Sequence, residues 1–326
     1  MRLNLLFKII ALFVFCVLAI LAFAFLSEPV LSFADVAQAD SLNHYIFWQL
    51  RLPRAVLAFA IGAALSVSGV SFQALLKNPL ADPYILGVSG GAALGYVLGV
   101  VLGMPFFLLP VLAFVSSLAC LILIYKLAQT DGVLSVTNLL LVGIVFNAFS
   151  FALILLINSV AHFGQAQQIL YLLLGSLDPL PWSRLLLILV FLIFGFCFLW
   201  LRAKEMNILS LGDEDAFHLG VNVQREKILF FTVTSLLVGA SVSLCGLIGF
   251  VGLIVPHLAR LLIGADHRLV LPTSALLGGS LLLFCEFLAA HLIGFETLNT
   301  RLPVGAVTAL IGAPLFVILL KRQVRS

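Results

Sequence analysis

The chain has 326 residues, of which 63% are hydrophobic and 10% charged, with a mean hydropathy of +1.24 and a formal net charge of +3. That apolar share lies far above the ~45–50% of a soluble domain and excludes one. The small basic excess needs no nucleic acid as partner, because the basic residues cluster at the ends of apolar runs.

Those runs are continuous rather than alternating, which fits α-helical spans and not an outer-membrane barrel. The expected fold class is an all-α polytopic membrane protein with about ten transmembrane helices. They are placed at 9–26, 51–75, 85–103, 106–126, 138–159, 184–201, 227–245, 248–264, 270–292 and 303–320. The first run follows Arg2 and Lys8, and its Ala22-Phe23-Ala24 resembles a signal-cleavage site. Its ~18 apolar residues exceed a usual signal core, so it reads as the first membrane helix.

Arg51 and Arg54 open the second helix, with Pro53 suited to a first turn. Two readings fit them: interfacial snorkelling, or a docking role at the membrane surface. In the third helix Gly87, Gly91, Gly95, Gly99 and Gly103 recur every four residues, a face on which a neighbouring backbone packs closely. Residues 165–176 read as a short helix lying at the outer surface. Gly246, Gly249, Gly252 and Pro256 mark a broken stretch, which is either the wall of a pathway or a structural kink.

Nine of the 31 charged residues fall between Arg202 and Lys227, where Asp213, Glu214 and Asp215 form the one acidic cluster. With the N-terminus inside, ten spans return the C-terminus inside. Twelve basic residues then face the cytoplasm, while Arg51, Arg54, Arg184 and Arg301 lie outside and Arg260 sits uncounted near an inner end. The 202–227 loop is thereby cytoplasmic, and is either a solvated connector or a contact for something soluble.

Other chemistry is thin. Cys16, Cys120, Cys197, Cys245 and Cys285 lie in apolar runs without a CxxC pair and read as reduced packing residues, not as metal ligands. His44, His162, His218, His257, His267 and His291 are scattered and read as packing or interfacial residues. No HExxH or GxxxxGK(S/T) motif is present, so ATP hydrolysis through that phosphate loop is not expected of this chain. Glu286 and His291 are the intramembrane ionisable residues on which an alternative, an ion-coupled secondary transporter, would rest.

Four blocks carry a family resemblance. They are RLPRAVLAFAIGAALSVSGVSFQALLKNPLADPYILGVSGGAALG (51–95), LGDEDAFHLGV (211–221), GLIGFVGLIVPHLAR (246–260) with ADHR (265–268), and LPVGAVTALIGAPLFVILL (302–320). On these the chain resembles the FecCD-type permeases, membrane subunits of ABC importers for iron–siderophore complexes, haem and vitamin B12. The resemblance implies the ABC importer type II permease fold, one domain over 1–326, multi-pass in the cytoplasmic (inner) membrane with both termini cytoplasmic. It implies a second permease copy or paralogue, two cytoplasmic ATP-binding cassette subunits, an extracytoplasmic substrate-binding protein and surrounding lipid as partners. Neither enzymatic activity nor a cofactor of its own is implied. The expected cargo is an iron–siderophore-type chelate, with cobalamin or haem as alternatives.

By the same resemblance Leu211, Gly212, Asp213, Glu214, Asp215, Ala216, Phe217, Leu219 and Gly220 contact the ATPase. Asp213–Asp215 would start a short helix after Gly212, and Ala216, Phe217 and Leu219 would offer its apolar face. Arg51 and Arg54 would receive acidic residues of the binding protein, and Arg301 is added as a third contact. Asn78, Leu80, Ser135 and Thr137 would narrow the path on the cytoplasmic side, although locally they read as ordinary turns and caps. Two departures stand out: Arg301 replaces the family's usual acid before LPVG, and Ala290 replaces an arginine four residues after Glu286.

Overall fold

The structure, a computed structural model, describes residues 2–26, 31–32, 36–38, 41–130, 132–291 and 302–323. In a lipid interior every backbone N–H and C=O must find its partner within the chain, so apolar runs become helices. In chain order these are α1 (Arg2–Leu26), α2 (Leu42–Leu75), α3 (Val88–Val101), α4 (Leu109–Leu127) and α5 (Val136–Val160). A short α6 (Phe163–Leu174) precedes α7 (Trp182–Leu201). The charged stretch holds α8 (Ala203–Leu209) and α9 (Asp213–His218). The chain continues through α10 (Val223–Cys245), α11 (Val251–Ile263), α12 (His267–His291) and α13 (Val304–Gln323). Two-residue strands, β1 (Gln129–Thr130) and β2 (Val133–Leu134), pair antiparallel ahead of α5, with Gln129 opposite Leu134.

Among the described residues six helices are long and apolar enough to cross a membrane, and α1 and α13 add apolar stretches at Ile10–Leu26 and Val304–Leu319. The expected spans at 85–103 and 248–264 turn out shorter: α3 has 14 residues and α11 has 13. At 1.5 Å per residue each covers only ~20 Å of a ~30 Å core. Non-helical backbone supplies the rest: a 3₁₀ turn at Pro83–Leu86 leads into α3, and residues 246–250 lead into α11.

The axis of the molecule is α2. Its most apolar window is 83% buried, against 17% for α5 and 22% for α7, which turn their apolar faces outward. Close approach makes this possible. A Cβ on Gly62 would stand 2.2 Å from the Gly278 carbonyl oxygen of α12, and one on Gly69 would stand 1.8 Å from the Gly252 oxygen of α11. Beside the first crossing Ser66 Oγ donates to the Ser274 carbonyl at 2.6 Å. The first helix is packed as a span would be: Cys16 Sγ lies 3.1 Å from Ser280 Oγ, and Phe23 meets the Phe287 ring edge-on at 6.3 Å.

Three expectations change. The helical run starts at Leu42 rather than 51, passing through a π-helical turn at Ile46–Arg51, while the regular α-helix begins at Leu52 with Pro53 in its first turn, as expected. Gly91, Gly95 and Gly99 do face α4, against Cys120, Ser116 and Leu109, while Gly87 caps α3 and would clash with Ile124 and Gly143. Gly103 packs on nothing. The helix has already ended at Val101, and Gly103 turns the chain with φ +67° and open space around it. Finally, Cys197 is exposed, unlike the other four cysteines, because it lies on the outer face of α7.

The glycine crossings give a direct check. Gly69→Ala is expected to destabilise the protein by about 1–3 kcal/mol through overpacking, read by thermal unfolding in detergent. Gly164→Ala, with nothing within 4 Å, should cause no loss. Equal melting of the two variants would contradict this account of the core.

Candidate functional site

The stretch from Arg202 to Lys227 is folded onto the bundle by its own ion pairs. Arg202 Nη1 bonds Glu226 Oε1 at the start of α10. The next residue, Lys227, bonds Asp213 Oδ2 at 2.5 Å, and Asp213 Oδ1 takes Lys77 Nζ at 2.8 Å from the end of α2. Consecutive helical residues point ~100° apart, so the first turns of α10 grip both the beginning and the middle of the loop. Asn207 of α8 fixes it a third time, donating to Asp266 Oδ1 at 2.7 Å and accepting the His267 N–H at 2.9 Å.

These pairs differ in worth. The Lys77 and Asp213 side chains are 38% and 47% exposed, so that contact contributes only ~0.2–1 kcal/mol. Lys227 is buried, at 6%, and Asp213 is its ion-pair partner. Burial raises the Asp213 carboxyl, but hydrogen bonds and charge from Lys227 and Lys77 outweigh it and hold the group below the ordinary carboxylate range. A depressed folded-state value means that this contribution is present above the unfolded value near ~3.9 and is lost as pH falls through the folded one.

Around Asp213 the chain builds α9 as expected. Gly212 precedes it with φ +147°, and the three acids occupy the first turn, where the helix end favours negative charge. Gly220, φ +81°, ends it, with its N–H on the Phe217 carbonyl at 3.0 Å. One expectation is corrected: Ala216 is fully buried and anchors α9 to the bundle instead of joining the outward apolar face. Leu211, Phe217 and Leu219 form that face, at 64%, 72% and 59% exposure.

The residues expected at the inner gate lie at this same end. Asn78 Oδ1 accepts the Leu80 N–H at 2.9 Å, leaving the Leu80 side chain exposed, and Ser135 Oγ caps α5 on the Asn138 N–H at 3.4 Å. A cavity of about 350 Å³ has Ser135, Thr137, Lys77, Asp213 and Lys227 together in its wall. Local sequence shows only turns and caps here. That Ser135 and Thr137 share a cavity wall with Asp213, while Asn78 and Leu80 approach it only through their neighbour Lys77, is visible only in three dimensions.

At the opposite end the arginines are not the exposed pair that the sequence suggests. Arg51 is 7% exposed and donates to the Ala24 carbonyl at 3.4 Å, because the π turn rotates it against α1. Arg54 Nη2 bonds Glu286 Oε1 at 2.7 Å, with side chains 12% and 3% exposed. Arg301 lies outside the described residues, as does most of the 293–302 loop. Thus Glu286 carries an arginine partner, and His291 Nδ1 donates to the Phe287 carbonyl at 2.7 Å. A cavity of about 570 Å³ is lined by Arg54, Glu286, Asp178, Tyr96 and Gly246. A second, of about 460 Å³, is lined by Leu247, Gly249, Phe250 and Asn147. The broken stretch therefore lines cavities, and its backbone is satisfied by protein: Leu247 N–H on Leu172 O at 3.1 Å, Ile248 N–H on Tyr84 Oη at 3.0 Å. Among the described residues no group of three or more His, Cys, Asp or Glu is placed to hold a metal.

The FecCD transport family profile matches residues 11–322. The hemin transport system permease protein HmuU of Yersinia pestis is 42% identical over 293 residues, spanning 87% of this chain and 85% of its own length. The uncharacterized ABC transporter permease protein YvrB of Bacillus subtilis is 41% identical (90% and 83%). The cobalamin import system permease protein BtuC of Halobacterium salinarum is likewise 41% identical (85% and 74%). Among solved structures, an inward-facing conformation of a metal-chelate type ABC transporter superposes with a TM-score of 0.88 at 30% identity, over 97% of this chain and 99% of that one. A chain of PsaBC from Streptococcus pneumoniae shares the fold at a TM-score of 0.54 and 18% identity.

The Asp213 node makes an ordered prediction. Asp213→Asn, which strands a buried ammonium, should destabilise by about 1–3 kcal/mol, and Lys77→Met by less than ~1. Adding Lys227→Met to Asp213→Asn should recover part of the loss, as read by denaturant unfolding in micelles. A double variant no more stable than Asp213→Asn would show that the buried charge is not what Asp213 serves.

Proposed function

Because the chain belongs to the FecCD transport family, we propose that it is the membrane subunit of an ABC importer, powered by a separate ATPase and fed by a substrate-binding protein. The observation that carries this reading is α9: an acid-started helix, anchored by Ala216 and the Asp213 pairs, that projects Leu211, Phe217 and Leu219 into solvent. Exposed apolar side chains on a rigid, charge-rimmed helix suit a groove on a soluble partner. Under this reading the α9 end faces the cytoplasm, two ATP-binding cassette subunits dock there, and their closure moves α9. The positive-inside count supports that sidedness. The outward apolar faces of α5 and α13 suit lipid and a second permease copy or paralogue.

The pathway in this reading runs past the broken 246–250 stretch and leaves between the loops of Asn78 and Leu80 and of Ser135 and Thr137. At the outer end Arg54 exchanges Glu286 for a carboxylate of the binding protein, with Arg51 and Arg301 beside it. Cargo is an iron–siderophore-type chelate, and the relatives named for hemin and cobalamin support the wider class of bulky metal chelates.

Phe217→Asp tests the central contact. It should cut co-purification of the ATPase by roughly tenfold or more, since a buried aromatic anchor is worth at least ~1.4 kcal/mol, while the permease melts as before. Undiminished retention would remove the docking role. At the other end, Arg54→Glu should slow capture of the binding protein, more at low salt than at high. Capture at the unaltered rate would dismiss that assignment.

A further inference from the structure

Lys77 occupies the position just past α2 with φ +49°; among the described residues only Phe250 shares a positive φ without being glycine. The Asn78 N–H reaches the Gln73 carbonyl at 3.1 Å and the Lys77 N–H reaches Ala74 at 3.3 Å, the paired helix ending that glycine usually fills. A side chain is sterically disfavoured in that backbone conformation. Here it carries Lys77 Nζ to Asp213, the first residue of α9, from the loop that also holds Asn78 and Leu80. A second bond runs to the other inner segment: the Leu134 N–H, one residue before Ser135, donates to Gln224 Oε1 at 3.0 Å. Gln224 and Lys227 are both in the first turns of α10.

Resting on the reading that α9 is the ATPase contact, we propose that Lys77 and Gln224 are positioning residues of the transport cycle. The Lys77–Asp213 pair ties α9 directly to the 76–82 loop, and the Gln224–Leu134 bond ties α10 to the 133–137 segment. The 76–82 loop then moves with α9 directly. The 133–137 segment follows through the first turns of α10, which Lys227 holds to Asp213, rather than only after a tilt has passed along the length of α7 and α10. The two lysines on Asp213 divide the work. Lys227 is buried and anchors the carboxylate to α10, while Lys77 is the half-exposed arm that reaches across to it from the end of α2. Asn78 and Leu80 follow Lys77 directly, so little slack separates arm and gate.

The test uses the full complex of permease and ATPase in nanodiscs. Cys197→Ser removes the exposed thiol, the other four being buried, and spin labels are placed at Leu80→Cys and His218→Cys. With Lys77 present the interlabel distance should stay the same with and without ATP, and Lys77→Arg should preserve this. Lys77→Met should retain the ATPase but give a distance that shifts or broadens when ATP binds. A Lys77→Met complex that behaves as the parent in both states would overturn the proposal. So would loss of the ATPase from that variant, which would place Lys77 in the docking surface itself. If the unaltered permease retains no ATPase, the importer reading fails first, and that outcome is separate from either of these.

Discussion

One carboxylate organises the charged end of this protein. Asp213 faces a buried lysine from α10 and a half-exposed lysine from the end of α2, so a short surface helix is fixed to two elements of the bundle. Without that constraint only the buried Ala216 would hold α9, whose six residues are far too few to keep a helix by themselves. With it, the exposed Phe217 and Leu219 sit on a fixed base. The Arg202–Glu226 pair and the Asn207–Asp266 bond extend the same principle, tying the loop to α10 and to the start of α12 as well as to α2.

The bundle beneath is closely packed. At the Gly62–Gly278 and Gly69–Gly252 crossings α2 touches α12 and α11 backbone to backbone, leaving little slack for side chains to absorb motion. Next to these rigid contacts lie the breaks, the 3₁₀ turn before α3 and the 246–250 stretch, which line cavities. Rigid crossings beside irregular backbone suit a protein that shifts whole elements while opening and closing a path.

Much of this was legible in the residues. Continuous apolar runs located the helices, and the density of charge between Arg202 and Lys227 singled out the end where α9 forms. The glycine period of α3 identified its α4-facing surface at Gly91, Gly95 and Gly99, but overran the helix end at Gly103, because periodicity does not register where hydrogen bonding stops. The burial of Arg51 and Arg54 is hidden from the sequence for a different reason. Their burial depends on a π turn and on Glu286, more than 230 positions away, and no local pattern reports either. The Lys77–Asp213–Lys227 node was likewise hidden, since a lysine after a helix and an acid in a loop are common until the fold brings them within 3 Å.

The whole account turns on which side of the membrane α9 occupies. A single cysteine at Glu214, which is exposed and outside the Asp213 pairs, can be challenged with a membrane-impermeant maleimide in the Cys197→Ser background. The account predicts labelling in inside-out vesicles and none in right-side-out vesicles or intact cells. Labelling from the outside would place α9 beyond the reach of any cytoplasmic ATPase and contradict it.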